Sequence, residues 1–130
     1  MSANFPAVVP EMPVGDIARA IDYYQRCLGF TLDWGGADHG GIAGISKGAC
    51  RLFLTDADFR QSYGNAAPIL LWINLQSRDA VDELHRLWSS NGARIVAPPE
   101  SKSWKLHEFT AADPDGNLLR VFYDFSWETA

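Results

Sequence analysis

Trp104-Lys-Leu-His-Glu-Phe-Thr-Ala-Ala-Asp-Pro-Asp-Gly-Asn-Leu-Leu-Arg-Val-Phe-Tyr-Asp124 is the stretch that decides the fold. Its centre, Asp113-Pro114-Asp115-Gly116-Asn117, is turn chemistry. Pro114 presets φ near −65°, Gly116 accepts φ > 0, and the Asp and Asn side chains bond the local backbone. The segment from Trp104 to Ala112 enters the turn as a strand. Leu118 to Phe125 leaves it as a second strand, rich in β-branched and aromatic residues. A strand sends alternate side chains to opposite faces. Leu118, Arg120, Phe122 and Asp124 therefore share one face, while Leu119, Val121 and Tyr123 share the other, under a helix.

Working outward, the same alternation of elements occurs twice. Ala7 to Pro13 reads as a marginal strand, because Pro10 and Pro13 cannot donate to a ladder. Asp16 is an N-cap for a helix with Ile17, Ile21, Tyr24 and Leu28 on one face, closed by Gly29. Strands follow at Phe30–Trp34, Ile42–Ser46 and Cys50–Thr55. After a polar linker, Ile69–Gln76 is a strand. Ser77 caps a helix carrying Val81, Leu84, Leu87 and Trp88 on one face, closed by Asn91-Gly92. Arg94–Ala97 is a strand, residues 98–103 a loop, and the two closing strands complete the chain. The helix-ending glycines, Gly29 and Gly92, are equivalent points of an internal repeat. The expectation is an α+β domain over residues 1–130. It consists of one βαβββ module at 6–56, a linker at 57–68 and a second module at 69–125. Each module is too small to bury much surface alone, so the two should pack together.

Composition limits the function classes. The chain has 130 residues, 47% hydrophobic, with a formal net charge of −5. An acidic chain lacks the basic patches that nucleic acid demands. No apolar run is long enough to span a bilayer, and the start of the sequence shows no basic-then-apolar pattern of a signal peptide. Cys27 and Cys50 form no metal motif and read as reduced core residues of a cytoplasmic protein, with a disulfide between them left open. Gly-x-Ser-x-Gly and the phosphate-loop pattern are both absent.

Three motifs carry a family resemblance. Val14-Gly15-Asp16-Ile17 runs on to Tyr23-Tyr24 and Leu28-Gly29-Phe30; the other two are Trp104-Lys105-Leu106-His107-Glu108-Phe109 and the Asp113–Asn117 turn. In this order and spacing, the chain resembles the vicinal oxygen chelate superfamily of glyoxalases, dioxygenases and bleomycin-resistance proteins, and within it the metal-free bleomycin-resistance branch. The resemblance implies two βαβββ modules whose curved mixed sheets surround a concave site. It also implies four metal-ligand positions, which fall here at Val9, Phe53, Leu70 and Arg120. Val, Phe and Leu offer no donor, and a guanidinium carries the wrong charge for a cation's ligand.

The expected function is therefore small-molecule binding of the bleomycin-resistance type. A bulky aromatic, cationic antibiotic or metabolite would be sequestered without metal, cofactor or catalysis, by a homodimer that binds neither nucleic acid nor membrane. The alternative is a glyoxalase- or dioxygenase-like metal enzyme with displaced ligands such as His107, Glu108 and Glu11. The expected ligand contacts are Trp104, Arg120, Glu11, Phe53, Trp72, Phe109, His107 and Phe122. Arg120 is either a ligand anchor or a structural partner of Glu11 or Glu108. Trp34 adds an aromatic face, Phe59 and Tyr63 of the linker could fold over a pocket, His39 is a loop-tip candidate, and His85 reads as surface. Aromatic walls suit a planar or cationic ligand through stacking and cation–π contact.

Overall fold

The computed structural model describes residues 5–62, 64 and 67–128; Tyr63 lies outside the described residues. Its strands are β1 Glu11–Pro13, β2 Thr31–Gly36, β3 Ile42–Lys47, β4 Cys50–Thr55, β5 Leu70–Asn74, β6 Arg94–Ser101, β7 Leu106–Ala112 and β8 Leu118–Asp124. The helices are α1 Ile17–Arg26 and α2 Arg78–Ser90. They form two four-stranded mixed sheets of identical connectivity, β1-β4-β3-β2 and β5-β8-β7-β6. In each, the first strand runs parallel to the last and all other pairs are antiparallel. The pseudo-repeat extends to the helix ends, where Gly29 and Gly92 take φ of +77° and +88°.

Local chemistry explains the element ends. The Asp16 carboxylate accepts the Arg19 N–H at 3.0 Å, and the Ser77 hydroxyl accepts that of Ala80 at 3.0 Å. Each cap satisfies one of the donors a helix start leaves open. Strand β1 is shorter than expected, although the Phe53 N–H still reaches the Pro10 carbonyl at 2.9 Å. Strand β6 is longer than expected: it runs through Pro98-Pro99, which the sequence assigns to a loop. It lies at the sheet edge, and its register shifts between Ala97 and Glu100. Prolines are tolerated at an edge or a bulge because no ladder N–H is required of them there. Leu87 also departs from expectation. It lies on the solvent side of α2, 49% exposed, whereas Val81 and Trp88 are buried.

The two modules share one core. Tyr24, Leu28, Phe30, Leu52 and Leu54 from the first meet Val81, Trp88, Phe109, Leu119 and Val121 from the second. Hydrogen bonds pin the seam. Trp88 Nε1 donates to the Leu28 carbonyl at 3.0 Å, Tyr23 Oη to the Ala112 carbonyl at 2.7 Å, and Tyr24 Oη to Asp113 Oδ2 at 2.8 Å. A buried indole or phenol needs such a partner.

The Asp113–Asn117 turn is part of this seam. Asp113 Oδ1 accepts the N–H groups of Asp115 and Asn117, and Asn117 Nδ2 donates to Asp113 Oδ2 and to the Pro13 carbonyl. Gly116 has φ of +87° there. The turn thus fixes the β7–β8 register and anchors the first module to the second. Cys27 and Cys50 are free thiols. No helix among the described residues is long and apolar enough to cross a membrane.

Candidate functional site

With the helices covering one face of each sheet, the opposite faces present side chains in rows set by the strand registers. In the second sheet Trp72 lies beside Arg120, and Arg120 opposite Thr110. Glu108, two residues before Thr110, returns to the same face. Nε and Nη2 of Arg120 both donate to Glu108 Oε1, Nε at 2.7 Å. Glu108 is 2% exposed, and its other oxygen, Oε2, accepts Trp104 Nε1 at 3.0 Å. The Arg120 guanidinium lies 4.5 Å from the centre of the Trp72 ring. Trp72 in turn meets Phe122 edge-to-face, with ring centroids 5.5 Å apart.

These contacts form a continuous row of Trp104, Arg120, Trp72 and Phe122, tied together by the buried Glu108 beneath it. Of the structural partners considered for Arg120, Glu108 is the one it takes. The buried carboxylate has two donor side chains, Trp104 and the charged Arg120, which is how a buried charge is tolerated.

Trp104 is held by a tight connection between β6 and β7. Lys102 N–H donates to the Leu106 carbonyl and Lys105 N–H to the Lys102 carbonyl. Lys105 has φ of +73°, the one non-glycine at positive φ among the described residues. A left-handed residue closing a short hairpin loop is usually glycine. A lysine there stores about 1 kcal/mol of strain, and the connection projects the Trp104 ring, 55% exposed, over the sheet face.

The first sheet carries a matching row. Glu11 pairs with Phe53, Phe53 with Gly44, and Gly44 with Trp34. Trp34 and Phe53 meet edge-to-face at 5.3 Å. Gly44 makes this possible, because a Cβ on it would lie 2.5 Å from Trp34 Nε1. Glu11 Oε2 accepts the Thr55 hydroxyl at 2.8 Å. Trp34 and Trp72 are 43% and 49% exposed, and Leu70 and Val96 add further uncovered apolar surface.

Six of the eight expected contacts thus lie on the two helix-free faces: Glu11 and Phe53 on one, Trp72, Trp104, Arg120 and Phe122 on the other. The remaining two require correction. Phe109, 1% exposed, is opposite Val121 on the helix side, where it packs edge-to-face on Trp88 and His85. His107 shares that side, with Nε2 2.8 Å from Asp82 Oδ1 of α2 and Nδ1 2.9 Å from the Ser101 hydroxyl. Strand parity is the reason: His107 and Phe109 alternate with Glu108. The half-buried position of His85 against Phe109 is likewise not a free surface place. His39 lies exposed at the end of a short 3-10 turn, Ala37–His39.

A divalent metal does not fit these residues. Phe53, Leu70 and Val9 bring no donor atom, and Arg120 is a cation committed to Glu108. The displaced trio of His107, Glu108 and Glu11 does not converge either. His107 and Glu108 leave their strand on opposite faces, and Glu11 is on the other sheet. Among the described residues, no group of three His, Cys, Asp or Glu side chains is arranged to hold a metal ion.

Sequence and structure comparisons agree with this architecture. A family model described as the Glyoxalase/Bleomycin resistance protein/Dioxygenase superfamily matches residues 7–121. The chain is 30% identical over 129 residues to a bleomycin resistance protein of Geobacillus stearothermophilus, covering 88% of this chain and 93% of that protein, and matches one from Staphylococcus aureus equally well. Among solved structures, a glyoxalase/bleomycin resistance protein/dioxygenase from Nocardioides superposes with a TM-score of 0.75 at 17% identity, covering 94% of this chain and 85% of that one. The bleomycin-binding protein of bleomycin-producing Streptomyces verticillus, complexed with copper(II)-bleomycin, superposes with a TM-score of 0.68 at 24% identity, covering 92% and 97%. The structural likenesses establish the shared fold; the family model and the 30% identical relatives show that the chain belongs to the glyoxalase/bleomycin resistance protein/dioxygenase superfamily.

Proposed function

We propose that this protein binds and sequesters a bulky aromatic, cationic small molecule of the bleomycin type, with no metal of its own and no chemical step. The observation that carries this reading is the pair of uncovered aromatic rows, Trp34–Phe53 on one sheet and Trp104–Arg120–Trp72–Phe122 on the other. Exposed indoles of this number, aligned across strands, are costly to leave in water and suit stacking on planar rings. The net charge of −5 favours a cationic ligand over an anionic one. Names among the relatives point the same way, since those at 30% identity are bleomycin resistance proteins. In this reading the protein works as a cytoplasmic homodimer, the uncovered sheet faces lining grooves shared between two copies. A ligand between such walls is held by stacking and by its displacement of water, and protection follows from keeping it bound.

Isothermal titration with metal-free and copper-loaded bleomycin tests this. The expected result is a saturable heat with Kd in the micromolar range or tighter, about −8 kcal/mol. Tryptophan emission should change over the same titration. Absence of both signals at roughly 100 µM protein overturns the assignment. Sedimentation of the free protein tests the dimer separately, a monomer at all concentrations being the contrary result.

A further inference from the structure

Ser101, His107 and Asp82 form a chain of hydrogen bonds across β6, β7 and α2. Ser101 stands directly opposite His107 in the strand pair, with its hydroxyl 2.9 Å from His107 Nδ1. His107 Nε2 lies 2.8 Å from Asp82 Oδ1. Arg78, one helical turn before Asp82, donates from Nη1 to the Ser101 hydroxyl oxygen at 3.2 Å. This chain lies on the helix side of the second sheet, and the binding reading of the aromatic faces uses none of its groups.

The partners settle where the protons sit. A guanidinium only donates, so Ser101 Oγ accepts from Arg78 and turns its own proton to His107 Nδ1. The Asp82 carboxylate accepts, so Nε2 carries the imidazole proton and Nδ1 the lone pair. These are the roles of a nucleophile, its base and the group that orients the base, each within hydrogen-bond reach of the next. Such a constellation is recognised by geometry and not by position in the chain, which is why no Gly-x-Ser-x-Gly pattern announces it. Exposure suits the roles. The His107 side chain is 12% exposed, whereas Ser101 is exposed on an edge strand, where a carbonyl can approach Oγ. Arg78 is held beside it by Glu128 Oε1, 2.9 Å from Nη2, and by the Phe125 ring, centred 4.2 Å from Cζ. Its guanidinium is thus a fixed positive donor next to the oxygen that would react.

We propose that Ser101 is an activated nucleophile that takes acyl groups from small activated esters, with His107 as its base and Asp82 as a positioning residue. In that step Ser101 Oγ bonds to the carbonyl carbon, its proton passes to His107 Nδ1, and Arg78 faces the developing oxyanion. Collapse breaks the ester C–O bond, and His107 gives the proton to the leaving oxygen. Water then attacks the acyl-serine, loses its proton to His107, and frees the acid as Ser101 regains the proton. The edge-strand position supplies no enclosing walls, which suits acetyl-sized groups over long acyl chains. This assignment and the drug-binding reading rest on opposite faces of the sheet, so either can fail alone.

Labelling of the whole protein with an alkyl fluorophosphonate, followed by peptide mass spectrometry, tests it. The expected result is a phosphonyl group on Ser101 and none on Ser103, which is exposed two residues further on. His107→Gln should slow labelling roughly 100-fold, the ordinary contribution of a positioned base. Asp82→Asn should slow it roughly tenfold by disturbing the tautomer, and Asp82→Glu should regain part of that loss. p-Nitrophenyl acetate should give a burst of nitrophenolate equal to the protein concentration, the mark of an acyl intermediate. Ser101→Ala, which removes only an exposed hydroxyl, should unfold at the wild-type midpoint yet lose the burst. The proposal is overturned if Ser101 stays unlabelled, if Ser103 reacts equally fast, if Ser101→Ala keeps the burst, or if His107→Gln labels at the wild-type rate.

Discussion

Arg120 spends two donors, Nε and Nη2, on a single oxygen of Glu108, which leaves the second oxygen to Trp104. One buried carboxylate therefore joins the last strand to the aromatic wall at the β6–β7 connection. Removing the cation strands that carboxylate, and breaking a buried pair from one side typically costs 3–5 kcal/mol. Arg120→Met should fall near the lower limit, about 3 kcal/mol, because the arginine side chain is 29% exposed. The double change Arg120→Met with Glu108→Leu should recover most of the loss, since apolar replacements of similar volume are well tolerated. Urea denaturation of the two variants decides. If the double variant is no more stable than Arg120→Met, the pair is not what the carboxylate depends on.

Trp72 and Trp104 can be separated by what each holds. Trp72→Ala removes a half-exposed ring that stacks on Arg120 and meets Phe122. Its expected effect is a 10- to 100-fold weaker bleomycin Kd, about 1.4–2.8 kcal/mol, with little change in unfolding midpoint. Trp104→Phe keeps an aromatic wall, though a smaller one under Lys102, and loses the Nε1 bond to Glu108. It should weaken binding several-fold less than Trp72→Ala. Equal Kd values for wild type and Trp72→Ala would remove the second sheet from the binding surface.

Gly44 offers a test of the first sheet without touching an aromatic residue. Its backbone conformation admits any side chain, but an alanine Cβ would come within 2.5–3.0 Å of the Trp34 indole. Gly44→Ala should therefore push Trp34 off Phe53 at a stability cost of about 1–3 kcal/mol for the overpacked site. Near-ultraviolet circular dichroism should report the lost edge-to-face pair. Bleomycin affinity should fall if this sheet contributes a wall. An unchanged spectrum would show that Trp34 is not seated on Gly44.

Much of this surface is legible in the sequence, because short-range rules govern it. Turn chemistry at Asp113–Asn117 fixes the β8 register, and alternation then places Arg120, Phe122 and Leu118 together. The same alternation, carried from Glu108 to its neighbours, also excludes His107 and Phe109 from that face; the sequence offered that signal, and it outweighs the appeal of their side-chain chemistry. The β6 strand was hidden by Pro98-Pro99, since edge position and bulging are tertiary facts.

Tyr24 makes the seam between modules sensitive to alkaline pH. Burial, and then the negative charge of Asp113, hold its phenol well above the ordinary value of about 10. Burial also raises Tyr23, with the Arg94 backbone N–H acting in the opposite sense. Below pH about 10 both tyrosines are protonated in folded and unfolded chains alike, and their contribution is fully present. Above it the unfolded chain loses those protons first, so stability falls as pH rises through the unfolded value towards the folded one. Denaturant midpoints should therefore drop between about pH 9 and pH 11, and the tyrosinate absorbance of these two groups should appear together with unfolding. Tyr24→Phe deletes the 2.8 Å bond to Asp113, a hydrogen bond to a charged group, and should cost about 1.5–3 kcal/mol near neutrality. It should also flatten the alkaline limb. A limb of unchanged steepness in Tyr24→Phe would assign the effect to Tyr23 instead.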